Sequence, residues 1–234
     1  MSKKYLLGVD GGTEGLRAGI FDISGTLLAC TSTTYTTQFP APSWAEQDPK
    51  DWWDALGKSV RKAILDSGIS VNQIAAMAVD TTCCSVVALD GSGTPVRPAL
   101  IWMDVRSAEQ AEQMVETGDD ALRINSNGCG PVSSEWMIPK ALWIKQNEPE
   151  IFERAVTICE YQDYINLHLT GRLISSINNV STRWHCDYTG DGVPKSLLKK
   201  LDLGELVEKW PQDVLRLGEL VGGLTPRAAE HLGL

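Results

Sequence analysis

The sequence lacks the features that mark several large classes of protein. No segment approaches the ~18–20 consecutive apolar residues that cross a bilayer, and the short apolar stretch after the N-terminal MSKK ends at Asp10. Basic residues number 21 against 30 acidic ones, without a Lys/Arg stripe, so nucleic acid is not an expected partner. The sequence therefore predicts a cytoplasmic protein without a membrane segment.

Signals for disulfides and zinc are also missing. The six cysteines are scattered and include no CxxC pair, so free thiols are expected. They are Cys30, Cys83, Cys84, Cys129, Cys159 and Cys186. His168 and His185 have no second ligand at metal spacing, which favours structural or exposed histidines over a zinc site.

Strand and helix signals alternate along the chain. Tyr5 to Val9, Arg17 to Asp22 and Thr26 to Thr37 predict an antiparallel meander, and a polar loop over 38–47 follows. A helix is predicted after Asp48 and Pro49, which form a helix start. Strands are predicted at 74–79 and 85–89, and helices at 108–115, 136–146, 161–169 with Gly171 as its stop, 196–201 and 225–232. This succession predicts an α/β protein with one domain over 1–234.

A glycine turn follows the first predicted strand. In Asp10-Gly11-Gly12-Thr13, glycine N–H groups can approach phosphate oxygens and the carboxylate can hold hydrated magnesium. Arg17 could neutralise phosphate. The alternative is a simple hairpin, which needs no ligand. The turn is not a P-loop, because the Lys-Ser/Thr ending is missing.

Further segments, taken with this turn, resemble the FGGY carbohydrate kinases, a branch of the actin-like ATPase clan. The matching segments are well separated and in order. They are Gly8-Val-Asp-Gly-Gly-Thr13 with Arg17, Trp44-Ala-Glu-Gln-Asp-Pro49 with Trp52-Trp53, Val79-Asp-Thr-Thr-Cys-Cys-Ser85, Leu100-Ile-Trp-Met-Asp-Val-Arg106, Pro139-Lys-Ala-Leu-Trp143, and Glu160 with Asp163 ahead of Leu169-Thr-Gly171.

The resemblance implies a ribonuclease H-like fold, a mixed sheet flanked by helices, and transfer of phosphate from ATP to a sugar hydroxyl with Mg²⁺. It places Asp10, Gly11, Gly12, Thr13 and Arg17 at the phosphates, with Asp10 also at the metal. Glu14 and Gly15 depart from the small hydroxylated residues often found there, which puts the details of this loop in doubt.

The resemblance also implies a set of sugar-binding residues: Thr82, Cys83, Cys84, Trp102, Asp104, Arg106, Glu135 and Trp136. Glycerol kinases carry an Arg-Glu pair, and xylulokinases a Met-His pair, where this chain has Cys83-Cys84. The Thr-Cys sequence is similar to that of ribulokinase-type members, so a pentulose is the expected substrate class.

Several of these residues have structural alternatives. Cys83 and Cys84 are interpreted as small side chains that fill space rather than as redox or nucleophilic groups. Trp102 could be a core tryptophan, Asp104 with Arg106 a surface ion pair, and Glu135 a solvated carboxylate.

In this family the general base lies in a second, actin-like domain, and the sequence ends at Leu234, where that domain would begin. We therefore expect an N-terminal half that is catalytically weak alone and that could form a homodimer through an uncovered apolar surface. Two alternatives remain: a non-catalytic sugar-binding or regulatory module, and an ATPase of the wider clan. If the chain alone is active, Asp80 or Asp104 is the first candidate base.

Overall fold

The computed structural model describes residues 4–125, 132–189 and 192–234. Within these ranges the strands are β1 (Tyr5–Gly11), β2 (Gly15–Asp22), β3 (Leu27–Thr34), β4 (Glu46–Gln47), β5 (Ile74–Thr81), β6 (Val86–Leu89), β7 (Ala99–Leu100), β8 (Thr157–Glu160), β9 (Ile174–Ser176) and β10 (Asp213–Leu215). The α-helices are α1 (Pro49–Ser67), α2 (Ala108–Glu116), α3 (Met137–Asn147), α4 (Pro149–Arg154), α5 (Tyr161–Thr170), α6 (Ile177–Arg183), α7 (Lys195–Lys200), α8 (Leu206–Lys209) and α9 (Pro226–Leu232).

The first sheet has the order β3-β2-β1-β5. β1 pairs antiparallel with β2, which pairs antiparallel with β3, so the predicted meander is confirmed. β1 also pairs in parallel with β5, so the sheet is mixed, as expected. The register places Asp10 opposite Arg17 on one side and opposite Asp80 on the other.

Helix α1 packs its apolar face on β2 and β3. The Asp48 side chain accepts a hydrogen bond from the Lys50 N–H, Pro49 occupies the first turn, and Gly68 ends the helix at φ 65°. These features satisfy backbone groups that a helix end otherwise leaves unpaired. The predicted start is confirmed, and Trp52 lies fully buried in the core between helix and sheet.

A second sheet, of order β4-β7-β6-β8, lies against a second apolar core to which helix α3 contributes. Helix α3 lies within one residue of its predicted range at each end. β4 and β7 were not predicted, because two residues are too few to show strand alternation.

Helix α5 follows β8 directly. Asp163 accepts a hydrogen bond from the Glu160 N–H at the start of the helix, and Gly171 ends it at φ 74°. The predicted helices at 108–115, 161–169, 196–201 and 225–232 are all present. β8, β9, β10, α4, α6 and α8 were not predicted, because each is short and depends on tertiary packing.

The five described cysteines are free, as expected, and Cys129 lies outside the described residues. In the described part of the chain, no helix combines the length and apolar character needed to span a bilayer. Two clusters of buried apolar residues form the core: the first contains residues of both four-stranded sheets, and the second contains the other buried residues of β6, Val86 and Ala88. The division into one domain stays a prediction.

Candidate active site

The glycine turn connects β1 and β2. The Gly12 N–H donates to the Gly15 carbonyl at 3.0 Å, so the segment is a hairpin. Gly11 is required by close packing, because a Cβ there would lie 2.7 Å from the Tyr161 hydroxyl oxygen. The close approach of Tyr161 therefore explains the glycine at position 11 without a ligand.

Polar side chains from neighbouring segments donate hydrogen bonds to the backbone carbonyls of this turn. The Gln47 amide donates to the Thr13 carbonyl at 2.7 Å, and Trp52 Nε1 donates to Gln47 Oε1 at 2.8 Å. The Tyr35 hydroxyl donates to the Gly12 carbonyl. The segment Trp44-Ala-Glu-Gln-Asp-Pro49 therefore supports the glycine turn, a contact that the sequence did not predict.

Two carboxylates lie side by side where β1 and β5 end. Asp10 and Asp80 are register partners, and both are exposed. A carboxylate oxygen of Asp10 lies 2.7 Å from the Arg17 guanidinium, with both side chains more than half exposed. Mg²⁺ is commonly held by one or two carboxylates plus substrate phosphates, and the exposed carboxylates at this end of the sheet fit such an ion.

The predicted sugar loop, residues 82–85, lies beside the glycine turn. The Thr82 N–H donates to the Gly11 carbonyl at 2.8 Å, which continues the β1–β5 pairing by one residue. Four strands, β2 to β5, and helix α1 lie between these two residues in the sequence, and the parallel pairing of β1 with β5 brings them together. The two candidate loops are therefore neighbours through backbone contact.

Cys84 has an unusual backbone conformation, with φ 63°. A non-glycine residue in the left-handed region is uncommon and persists where surrounding contacts hold it. Its N–H donates to Glu160 Oε2 at 2.9 Å, and its carbonyl accepts from Lys140 Nζ at 2.9 Å. The Glu160 and Lys140 side chains therefore bind the N–H and the carbonyl of the same loop residue, Cys84.

Lys140 is fully buried, and its ammonium also donates to the Ile101 carbonyl at 2.7 Å. Burial lowers the pKa of Lys140 to about 8, while nearby acidic groups oppose the shift. Because Ile101 directly precedes Trp102, one lysine holds both predicted sugar segments. Lys140 lies in a segment that matched the family, but no pattern in the sequence predicted this role.

Glu160 joins the same arrangement from the end of β8. Its Oε1 accepts from Trp184 Nε1 at 3.2 Å. Burial raises the pKa of the Glu160 carboxyl to about 8, and Asp163 adds to the shift. Burial likewise raises the pKa of Asp163 to about 7. Glu160 thus binds the loop at Cys84, and Asp163 binds the backbone N–H of Glu160.

Trp102 lies at the surface rather than in the core. The side chain is 38% exposed, and Nε1 donates to Thr13 Oγ1 at 2.9 Å. The core alternative for Trp102 is therefore wrong. The indole forms a second connection between the sugar segments and the glycine turn, and its ring remains accessible to a ligand.

The surface alternative for Asp104 and Arg106 is wrong, because their side chains are 0% and 1% exposed. Arg106 binds both Asp104 and Glu46, and its guanidinium lies 3.7 Å from the Trp44 ring centroid. Their hydrogen bonds to Ala45 and Glu46 join the Trp44–Pro49 segment to the Trp102 loop inside the protein.

Cys83 is the partly exposed member of the thiol pair. The Cys84 thiol donates to Cys83 Sγ at an S–S distance of 3.8 Å. This hydrogen bond, followed by contact with Arg183, lowers the pKa of Cys83 to about 5 against the effect of burial. The same hydrogen bond and burial raise the pKa of Cys84. The sequence did not predict the role of Arg183, which lies 100 residues from the thiols.

A cleft of about 630 Å³ lies between α6 and the start of α3, lined by Trp136 and Arg183 among others. The buried His185 packs against Trp136, with ring centroids 5.4 Å apart. Glu135 is half-buried, near the Lys140 ammonium. Trp136 is thus a predicted sugar residue that lines the cleft. Cys83 contacts Arg183, which also lines the cleft.

Comparisons with known proteins agree with this geometry. The sequence profile described as "FGGY family of carbohydrate kinases, N-terminal domain" matches residues 5–234. The chain is 32% identical to the human FGGY carbohydrate kinase domain-containing protein, over 99% of this chain and 44% of that protein. It is 30% identical to ribulokinase of Shouchella clausii, over 99% of this chain and 46% of that protein.

Among solved structures, xylulose kinase from Rhodospirillum rubrum superposes with a TM-score of 0.85 and 25% identity, over 99% of this chain and 47% of that chain. The chain spans about half the length of the curated relatives that it matches. It belongs to the FGGY family of carbohydrate kinases, and its fold is the actin-like, ribonuclease H-like α/β fold, as the resemblance implied.

Proposed function

We propose that the chain supplies the sugar loop and the phosphate loop of an ATP-dependent kinase that phosphorylates a pentulose such as ribulose or xylulose. The observation that carries this proposal is the direct contact between the two loops, through the Thr82–Gly11 and Trp102–Thr13 hydrogen bonds. A kinase must hold the acceptor hydroxyl next to the transferred phosphate, and this contact provides that proximity.

The pentulose class is supported by two observations. Cys83 and Cys84 replace the charged or bulky pairs of glycerol kinases and xylulokinases, which leaves a small, weakly polar loop. Proteins similar to the chain carry the names ribulokinase and xylulose kinase. We assign sugar contacts to Thr82, Cys83, Cys84 and the ring of Trp102, while the cleft beside Trp136 and Glu135 holds the rest of the sugar.

The phosphate side is assigned to the glycine turn. Backbone N–H groups of Gly11, Gly12 and Thr13 would face phosphate oxygens, and Arg17 would exchange its Asp10 partner for phosphate. Asp10 would then hold Mg²⁺, which supplies charge neutralisation when bound. Asp104 and Arg106 act as positioning residues, because their contacts fix the loop that carries Trp102.

The chain matches about half the length of its relatives. We propose that the general base comes from the other half. Asp104 is buried in its ion pair, and Asp80 faces the phosphate side. Alone, the chain would bind sugar weakly and transfer phosphate slowly or not at all. A cytoplasmic location and a homodimer remain predictions.

A coupled ADP-release assay tests the placement of the base. The chain is incubated with ATP and Mg²⁺, and with ribulose, xylulose, glycerol or no sugar. We expect no sugar-dependent ADP release. Turnover that depends on a pentulose would show that a carboxylate of this chain acts as the base, and Asp80→Asn would then identify it.

A further inference from the structure

The thiols of Cys83 and Cys84 are in contact at the surface of the sugar loop. Their sulfurs are 3.8 Å apart, with Cys84 buried and Cys83 partly exposed. Two thiols in contact can exchange their hydrogens for a sulfur–sulfur bond when the backbone between them adjusts. The other described cysteines show no such pairing.

The two thiols differ in their surroundings. Cys83 accepts a hydrogen bond from Cys84 and contacts the Arg183 guanidinium, and both interactions favour its thiolate. Cys84 donates to Cys83 and lies near the buried Glu160, which keeps it protonated. An accessible thiolate next to a second thiol is the arrangement found in redox-sensing cysteines.

We propose that Cys83 and Cys84 form a redox-sensitive dithiol that a peroxide closes into a disulfide and that a thiol reductant reopens. The Cys83 thiolate attacks one peroxide oxygen, the O–O bond breaks, and a sulfenic acid and hydroxide form. The hydroxide takes up the proton that Cys83 released to solvent and becomes water. The Cys84 sulfur then attacks the Cys83 sulfur, loses its proton and displaces a second water. Two thiols are oxidised by two electrons, and one peroxide is reduced to two waters.

A disulfide between these residues would be easily reduced. Adjacent Cα atoms are about 3.8 Å apart, whereas the Cα atoms of a disulfide are usually ~4.4–6.8 Å apart. The loop is also held at φ 63° by Glu160 and Lys140, which restricts its adjustment. Strained, accessible disulfides have high reduction potentials and are the labile, regulatory ones.

Closure would alter the backbone between Thr82 and Ser85. Thr82 bonds to the glycine turn through Gly11, so the change would reach both candidate loops. We expect oxidation to inhibit sugar binding, an expectation that rests on the proposed function. The formation of the disulfide does not depend on the proposed function.

Mass spectrometry tests the proposal directly. The reduced chain, with Cys30→Ser to remove the exposed thiol, is treated with one equivalent of hydrogen peroxide, alkylated and digested with trypsin. The peptide that covers 63–106 contains only Cys83 and Cys84 as cysteines. We expect this peptide to be two hydrogens lighter and unalkylated, and to return to the dithiol with dithiothreitol. Two alkylated cysteines, or sulfinic acid alone, would overturn the proposal.

Two variants test the assigned roles. Arg183→Gln should slow the loss of thiols roughly 3–10-fold, because it removes the cation that favours the thiolate. Arg172→Gln is the matched control, since Arg172 forms an exposed pair with Asp213. Equal rates in both variants would overturn the role of Arg183. Cys84→Ser should leave a sulfenic acid at Cys83 that dimedone traps, and the absence of the adduct in this folded variant would overturn the assignment of Cys83 as the attacking thiol.

Pentulose binding to the reduced chain is a separate measurement. If the disulfide forms but the reduced chain binds no pentulose, the redox proposal stands and the proposed function is rejected. If the reduced chain binds a pentulose but no disulfide forms, the proposed function stands and the redox proposal is rejected.

Discussion

The indole of Trp102 donates a hydrogen bond of 2.9 Å to the hydroxyl oxygen of Thr13. These residues belong to separate sequence segments, one matched to a sugar contact and the other to a phosphate contact. Together with the Thr82–Gly11 backbone hydrogen bond, this contact joins the predicted sugar segments to the glycine turn. A ligand bound at either loop is therefore next to the other.

Replacing Thr13 by valine removes the acceptor and keeps the shape of the side chain. We expect the Trp102 indole N–H to exchange with solvent about 3–10-fold faster, because a hydrogen bond of roughly 1 kcal/mol is lost. Hydrogen exchange followed by NMR measures this, with the indole signal assigned by Trp102→Phe. Thr36→Val, at an exposed position, should leave the rate unchanged.

Lys140 supports both predicted sugar segments from the interior. Lys140→Met keeps the length of the side chain but leaves the Cys84 and Ile101 carbonyls without their donor. We expect the free energy of unfolding, measured with urea, to fall by about 2–4 kcal/mol. Lys62→Met, which breaks an exposed pair with Asp66, is the control and should cost less than ~0.5 kcal/mol. Similar losses in both variants would contradict the role of Lys140.

Gly11 touches Tyr161 too closely for a larger residue. Gly11→Ala places a Cβ 2.7 Å from the Tyr161 hydroxyl oxygen, so either the ring or β1 must move. We expect a loss of about 1–3 kcal/mol in the free energy of unfolding. Gly204→Ala, where a Cβ meets open space, is the matched control. A Gly11→Ala chain as stable as this control would contradict the packing.

The buried carboxyls predict how stability depends on pH. The folded-state pKa values of Glu160 and Asp163 are raised, to about 8 and about 7. Between about pH 4 and 8 the folded chain therefore binds more protons than the unfolded chain, and stability falls as pH rises. Each group contributes at most about 1.4 kcal/mol per pH unit.

Urea unfolding at several pH values between 5 and 8 checks this dependence. Glu160→Gln should flatten the decline, because the variant side chain does not titrate. Glu109→Gln, at an exposed position of α2, should keep the original slope. A slope that Glu160→Gln leaves unchanged would show that Glu160 titrates as it does in the unfolded chain.

Local signals in the sequence predicted much of the fold. The Asp48-Pro49 start of α1 and the Gly171 end of α5 depend on neighbouring residues only, and both are confirmed. The meander also follows from local alternation. These elements could be predicted because capping and periodicity operate over a few residues.

The contacts of the site are less local. Arg183 meets Cys83 across 100 residues, and Lys140 meets Cys84 across 56. The burial of Asp104 depends on Arg106 and on Glu46 from another strand. No pattern within a short window reports such contacts, so the sequence identified the candidate segments but not the side chains that hold them.

NMR titration of the reduced chain with sugars measures whether the joined loops bind a pentulose. Ribulose, xylulose and glycerol are added separately while the indole N–H signals of Trp102 and Trp136 and the amide of Cys84 are followed. NMR detects millimolar affinity, so weak binding by this chain alone remains visible. We predict that a pentulose shifts these three signals more than glycerol does, and that Trp102→Phe weakens the effect. A folded chain whose three signals stay unchanged at saturating pentulose would contradict this prediction.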